Sequence, residues 1–184
     1  MLKDLFAQVP GTTAEALEVF DSAGSVEPDF MFGTWRGAEV PTGHPMDGLL
    51  AATGWWGKRF VDAETVHPLL FPAPDGASLW AFDPAKAFLG LGLTRRLPGL
   101  RDRSLAGPVG SLRPVLRTRS PRARLRTTRY RGTDTATMIY DQVPVNDVFR
   151  RLSDDAVLGL MDMRGLRSPY VFVLRRDDSL RMER

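Results

Sequence analysis

The chain of 184 residues has no cysteine, which excludes disulfides, thiolate nucleophiles and thiolate metal sites. Long apolar runs are missing too. No stretch approaches the roughly 20 consecutive apolar residues that a membrane-spanning helix needs. The N-terminus, Met1-Leu2-Lys3-Asp4, has neither the basic cluster nor the apolar run of a secretion signal. The expectation is a cytoplasmic protein with no integral membrane segment. Histidine is scarce, and lysine nearly so: arginine supplies 22 of the 25 basic side chains. No Gly-x-Ser-x-Gly elbow, phosphate-binding loop, dinucleotide fingerprint or His-Glu-x-x-His pattern occurs. Binding, rather than catalysis, is therefore the expected activity, with no cofactor.

What is present is enough apolar material for one core: hydrophobic residues make up 43% of the chain. Charge is unevenly spread. Residues 1–94 carry 12 acids against 5 bases, and residues 95–184 carry 20 bases against 10 acids. Between Arg95 and Arg131 only Asp102 is acidic. Such a stretch suits phosphates, but the aromatic residues on which bases stack are almost absent from it, so a nucleic-acid partner is not expected.

Periodicity and turn signals place the elements. Thr12 and Glu15 form a capping box for a helix over 12–23, with Ala16, Val19, Phe20 and Ala23 on one face and Gly24 as its stop. Pro28 to Val40 reads as extended. Asp47 is placed to cap a second helix over about 48–61, although Gly54 and Gly57 interrupt it around Trp55-Trp56. Val66–Phe71 and Ala77–Phe82 read as short strands, and another is expected around Phe88–Thr94. Arg124–Arg131 and Thr135–Asp141 form a hairpin through a type II′ turn at Gly132-Thr133. Pro144–Leu152 reads as a helical turn or a bent strand, Ala156–Met163 as a strand-like apolar run, and Pro169–Arg176 as the last strand, with Tyr170, Phe172 and Leu174 on one face. Short strands separated by turns predict an antiparallel sheet curling into a barrel. The chain divides into an N-terminal helical segment (1–27), a first β region (28–82), a Gly/Pro/Arg-rich connection (83–123) and C-terminal strands completing the same barrel (124–184).

Gly33-Thr34-Trp35-Arg36-Gly37 opens the first β region. A large aromatic between two glycines suits a strand that bends into a barrel, with Trp35 filling the closed end and the glycines allowing close approach. This segment, with Gly54-Trp55-Trp56-Gly57-Lys58-Arg59-Phe60, His67-Pro68-Leu69-Leu70-Phe71, Tyr130-Arg131-Gly132, Met138-Ile139-Tyr140-Asp141 and Gly159-Leu160-Met161-Asp162, resembles a bacterial family named for the Gly-x-Trp-x-Gly motif, whose C-terminal half is a domain of unknown function. The first motif alone is similar to those of lipocalin-like proteins, fatty-acid-binding proteins and nitrobindin-type haem barrels, though Glu39 stands where the haem motif has its last glycine. The resemblance implies a mainly β (α+β) fold: an antiparallel lipocalin-like (calycin-type) β-barrel with an N-terminal helix and a second helix covering one end.

In the predicted hairpin Leu125, Thr127, Arg129, Ala136, Met138 and Tyr140 share the more apolar face. Arg129 would hold a carboxylate through paired hydrogen bonds, with the Tyr140 hydroxyl assisting. Alternatively, Arg129 pairs with a protein acid such as Asp162. Trp56, Met138 and Met161 are the expected tail contacts, Trp35 borders the same interior, and the first two helices serve as lid and plug. The expected ligand is a fatty acid or related lipophilic carboxylate. Two other readings stand beside it. One is a haem or metal barrel using His44 or His67, the only histidines, although no metal-binding signature supports it. The other is a small enzyme acting on a lipophilic substrate with Asp141 or Asp162 as base. The sequence leaves room for a homodimer.

Overall fold

The computed structural model describes residues 10–87 and 105–183. Helix α1 (Thr13–Ser22) starts at the expected capping box: Thr12 Oγ1 accepts from the Glu15 N–H, and the Glu15 carboxylate accepts from the Thr12 N–H. A 3-10 turn at Pro28–Met31 leads into β1 (Gly33–Glu39). Then come α2 (Leu49–Thr53), β2 (Gly57–Phe60), β3 (Val66–Pro72) and β4 (Ser78–Phe82). Two short helices, α3 (Ala106–Ser111) and α4 (Arg113–Leu116), precede β5 (Arg117–Thr118). The C-terminal strands are β6 (Ala123–Tyr130), β7 (Thr133–Tyr140), β8 (Val145–Arg151), β9 (Ala156–Met163), β10 (Tyr170–Arg176) and β11 (Arg181–Met182).

Eight strands close a barrel in the order β3-β2-β1-β10-β9-β8-β7-β6, and every pairing in it is antiparallel. The seam is narrow: β3 meets β6 at Val66 and Ala123, helped by the Leu125 N–H donating to the Ala63 carbonyl at 2.8 Å. Strands β4, β5 and β11 extend the sheet outward from β3. Alternate residues fill the interior, among them Trp35, Phe60, Leu125, Met138, Phe149, Val157, Phe172 and Leu174.

The motif glycines act on the packing. Gly37 has no Cβ because the Trp55 ring occupies that space, and Gly159 is likewise covered by the Phe172 ring. Gly57 lies against the Trp35 carbonyl. Trp35 is fully buried, and its Nε1 donates to the Met31 carbonyl at 2.7 Å. That bond ties the barrel interior to the 3-10 turn, which packs against β6 and β7 and closes this end.

Several expectations are corrected. Helix α1 does not plug an end. It lies on the outer wall, where Ala16 and Phe20 join Val148, Leu158, Leu160, Val171 and Val173. The second helix is only Leu49–Thr53, because Gly54 takes the left-handed conformation at φ 77° and terminates it. Asp47 does not cap it; its Oδ2 instead accepts from the Thr42 and His44 N–H groups, both at 2.9 Å. Residues 57–60 become β2, and Val145–Arg151 is a strand. The hairpin turn is Arg131-Gly132, with φ of 47° and 82°, which suits a type I′ turn. Arg129 consequently pairs with Asp134. The register differs from the expected one by an even number of residues, so the faces are unchanged. The strand expected around Phe88–Thr94 lies outside the described residues.

Candidate functional site

Among the described residues, one ion pair lies inside the barrel. Lys58 on β2 and Asp147 on β8 both point inward, and Lys58 Nζ lies 2.8 Å from Asp147 Oδ2, with side chains 4% and 1% exposed. Lys58 Nζ also donates to the Pro68 carbonyl at 3.2 Å and lies 3.5 Å from the Tyr140 hydroxyl. That hydroxyl donates to Asp147 Oδ2 at 3.4 Å. Aromatic faces surround the ammonium: Trp55 at 5.3 Å, Phe172 at 5.0 Å and Tyr140 at 5.9 Å from the ring centroids.

Register explains why these groups meet. Asp147 is flanked by Met138 on β7 and Met161 on β9, and Met161 faces Tyr170 on β10. Four adjacent strands thus present Met138, Asp147, Met161 and Tyr170 inward at one level. Tyr140 stands two residues above Met138. Trp55 reaches the centre over Gly37, with its ring edge-on to Phe172. Loop 41–47 borders this end of the barrel. There His44 Nδ1 accepts from the Met46 N–H, its Nε2 donates to the Ser168 carbonyl at 3.3 Å, and its ring packs on Tyr170. The Tyr170 hydroxyl donates to Glu39.

Electrostatics sets this centre apart from the core around it. Burial pushes the Asp147 carboxyl up, against the downward pull of Lys58. Burial and the neighbouring Asp147 raise the Tyr140 hydroxyl well above its ordinary value. Burial likewise raises Tyr170, and Glu39 adds to the effect. Two buried polar atoms here have no protein partner: the acceptor Asp147 Oδ1 and the donor Trp55 Nε1. At this level Met161 is 9% exposed and Trp55 8%, whereas Met138 is fully buried.

The expected site residues divide. Tyr140, Met138 and Met161 converge on the Lys58–Asp147 pair, and Trp35 faces the interior below them. Trp56 points outward, into a cluster with Leu70, Leu79 and Ala81. Arg129 keeps the inward-facing alternation but lies where the hairpin runs past the barrel end. Its side chain is 71% exposed, 3.5 Å from Asp134. The cation beside Tyr140 and Asp147 is Lys58. Asp141 pairs with Arg124 at the surface at 2.7 Å. Asp162 is exposed and, with Arg164, Tyr140 and Val145, lines a hollow of about 430 Å³ at the β7–β8 turn.

His44 touches this centre only through Tyr170, and His67 lies apart from it. Burial pushes both below the ordinary imidazole value. His67 lines an outer hollow of about 310 Å³ with Arg59, Arg117 and Arg119. Among the described residues no group of three or more His, Cys, Asp or Glu is arranged to hold a metal ion. None of their helices is long and apolar enough to cross a membrane.

Sequence reasoning missed Lys58 and Asp147, and it preferred Trp56 to its neighbour Trp55 as a ligand contact. Asp147 did leave a signal, as a lone acid alternating with Val145 and Phe149 at inward positions. Lys58 is one of only three lysines in an arginine-dominated chain.

Comparison with known proteins places these residues in context. The family described as GXWXG protein matches residues 18–76, and a domain of unknown function (DUF4334) matches residues 121–176. The first match contains Trp35, Trp55 and Lys58; the second contains Met138, Tyr140, Asp147 and Met161. A crystal structure of a protein from Thermomonospora curvata is similar at 34% identity and a TM-score of 0.65, over 89% of this chain and 86% of that one. None of the curated proteins matches this chain.

Proposed function

This chain belongs to the GXWXG family, and we propose that its barrel binds a hydrophobic small molecule whose polar group docks against Lys58, Asp147 and Trp55. The observation that carries this reading is the pair of unpartnered buried atoms, Asp147 Oδ1 and Trp55 Nε1, beside an ion pair inside an otherwise apolar barrel. An orphaned buried acceptor or donor costs about 1–3 kcal/mol. A ligand hydroxyl satisfies both, accepting from Trp55 Nε1 and donating to Asp147 Oδ1. Met138, Met161, Met163 and Phe172 form the apolar surroundings for its tail, and methionine adapts readily to irregular shapes. An eight-stranded barrel has room for its own side chains or one small ligand.

The head group is better neutral than anionic. Lys58 is already neutralised by Asp147, so a carboxylate would bring an unpaired negative charge into a buried site. A fatty acid is therefore the weaker ligand and a long-chain alcohol the stronger.

Calorimetric titration of delipidated protein with 1-dodecanol and with dodecanoate tests this. The expected result is one dodecanol per chain, bound more tightly than dodecanoate at pH 7.5. Trp55→Phe should weaken dodecanol about fivefold, the equivalent of one hydrogen bond of ~1 kcal/mol. Saturable binding of neither compound would overturn the proposal, and tenfold tighter binding of dodecanoate would reverse the head-group assignment.

A further inference from the structure

We propose that Lys58 captures lipophilic aldehydes covalently, as a Schiff base formed inside the barrel. The inference rests on the binding reading above and adds a chemical class and a reaction to the same site.

The choice of residue is the first argument. Arginine provides 22 of the 25 basic side chains and is the better partner for an ion pair. The barrel interior instead holds lysine, which can shed a proton and become a nucleophilic amine, whereas a guanidinium cannot. A purely structural role is a weak explanation, since a buried ion pair usually adds no more stability than apolar side chains of the same volume.

Geometry supplies the rest. Asp147 Oδ2 sits 2.8 Å from Lys58 Nζ, placed to take the ammonium proton. Burial favours the protonated carboxyl, which suits Asp147 to accept that proton. Asp147 Oδ1 and Trp55 Nε1 lack partners, and the Tyr140 hydroxyl lies 3.5 Å from the amine. These are the groups a carbonyl oxygen needs. Trp55 Nε1 donates to it, and the protonated Asp147 delivers a proton as negative charge develops.

The step balances. The Lys58 amine attacks the carbonyl carbon, forming a C–N bond while the π pair moves to oxygen. Asp147 protonates that oxygen and takes a proton from the attached nitrogen, giving a neutral carbinolamine. It then delivers this proton to the hydroxyl, which leaves as water as the nitrogen lone pair forms the C=N bond, and the iminium returns its remaining N–H proton to Asp147. The net change is aldehyde plus amine to imine plus water, with no oxidant or reductant. Apolar surroundings favour it by excluding the water that would reverse it.

The test uses intact full-length protein, dodecanal and sodium cyanoborohydride, which fixes any imine as a secondary amine. Peptide mapping is unusually clean because the only lysines are Lys3, Lys58 and Lys86. The expected result is one dodecyl group per chain, on Lys58, formed at least tenfold faster than at Lys3 or Lys86. Lys58→Arg should abolish that adduct while retaining charge. Asp147→Asn, where it folds, should slow capture at saturating dodecanal by tenfold or more. An unmodified Lys58 in wild-type protein that still binds dodecanol would overturn the covalent step and leave the binding reading intact. Absence of both adduct and dodecanol binding would remove both. Should the Asp147 variant not fold, the wild-type map decides alone.

Discussion

At the scale of single residues, the Lys58–Asp147 pair is a buried charge balance with several kcal/mol at stake. Both side chains are almost fully buried, and each is tolerable there because of the other. Removing one partner strands a charge. Asp147→Leu alone should therefore cost roughly 3–5 kcal/mol. The double substitution Lys58→Met with Asp147→Leu should recover most of that loss, or exceed wild-type stability. Urea denaturation of the three proteins measures this. Additive losses in the double variant would contradict the argument, since they would make the pair a net source of stability. Tyr140, Met138 and Met161 were legible in the sequence because alternation along a strand fixes which side chains face inward. Arg129 shares that alternation yet reaches solvent. Periodicity reports the face of a strand and is silent on how far the hairpin extends beyond its neighbours. Lys58 was hidden for another reason: its segment looked helical, and helical spacing does not say which side chains enter a barrel.

At the scale of elements, the first motif is best understood as a pair of contacts between strand β1 and the segment after α2. Gly37 makes room for the Trp55 ring, and Gly57 lies against the Trp35 carbonyl. The Trp55-Trp56 pair splits across the sheet for this reason, one ring inside and one outside. Gly37→Ala forces Trp55 from its place above Lys58. The expected outcome is a loss of roughly 1–3 kcal/mol, the usual cost of overpacking, together with weaker dodecanol binding. Gly107→Ala is the control. Nothing lies within 4 Å of its added methyl, and its helix gains from the exchange. Thermal melts of both variants distinguish a packing role for Gly37 from a general sensitivity to glycine replacement. Helix α1 and strands β9 and β10 were readable from the sequence because their signals are local: a capping box, an Asp-Asp turn and an alternating aromatic face. Strand β8 was ambiguous since Asn146 and Asp147 interrupt its apolar run, and only pairing with β7 and β9 makes that acid an inward residue.

At the scale of the whole molecule, the proposed ligand lies inside a closed barrel, near the end bordered by loop 41–47 and away from the end that holds Trp35 and Met31. The fold class was legible from regularly spaced short strands, but the closure was not, as it depends on one meeting of β3 with β6 far apart in sequence. Methionines make good reporters of where a ligand sits. Met138, Met161 and Met163 face the interior, whereas Met182 packs on the outer wall beside Trp56. The most direct measurement is therefore a titration of protein carrying ¹³C-labelled methionine methyl groups with 1-dodecanol, followed by NMR. Saturable shifts are expected at Met138, Met161 and Met163 with Met182 unmoved; binding that shifts Met182 and leaves the three interior methyls unchanged would contradict a ligand inside the barrel.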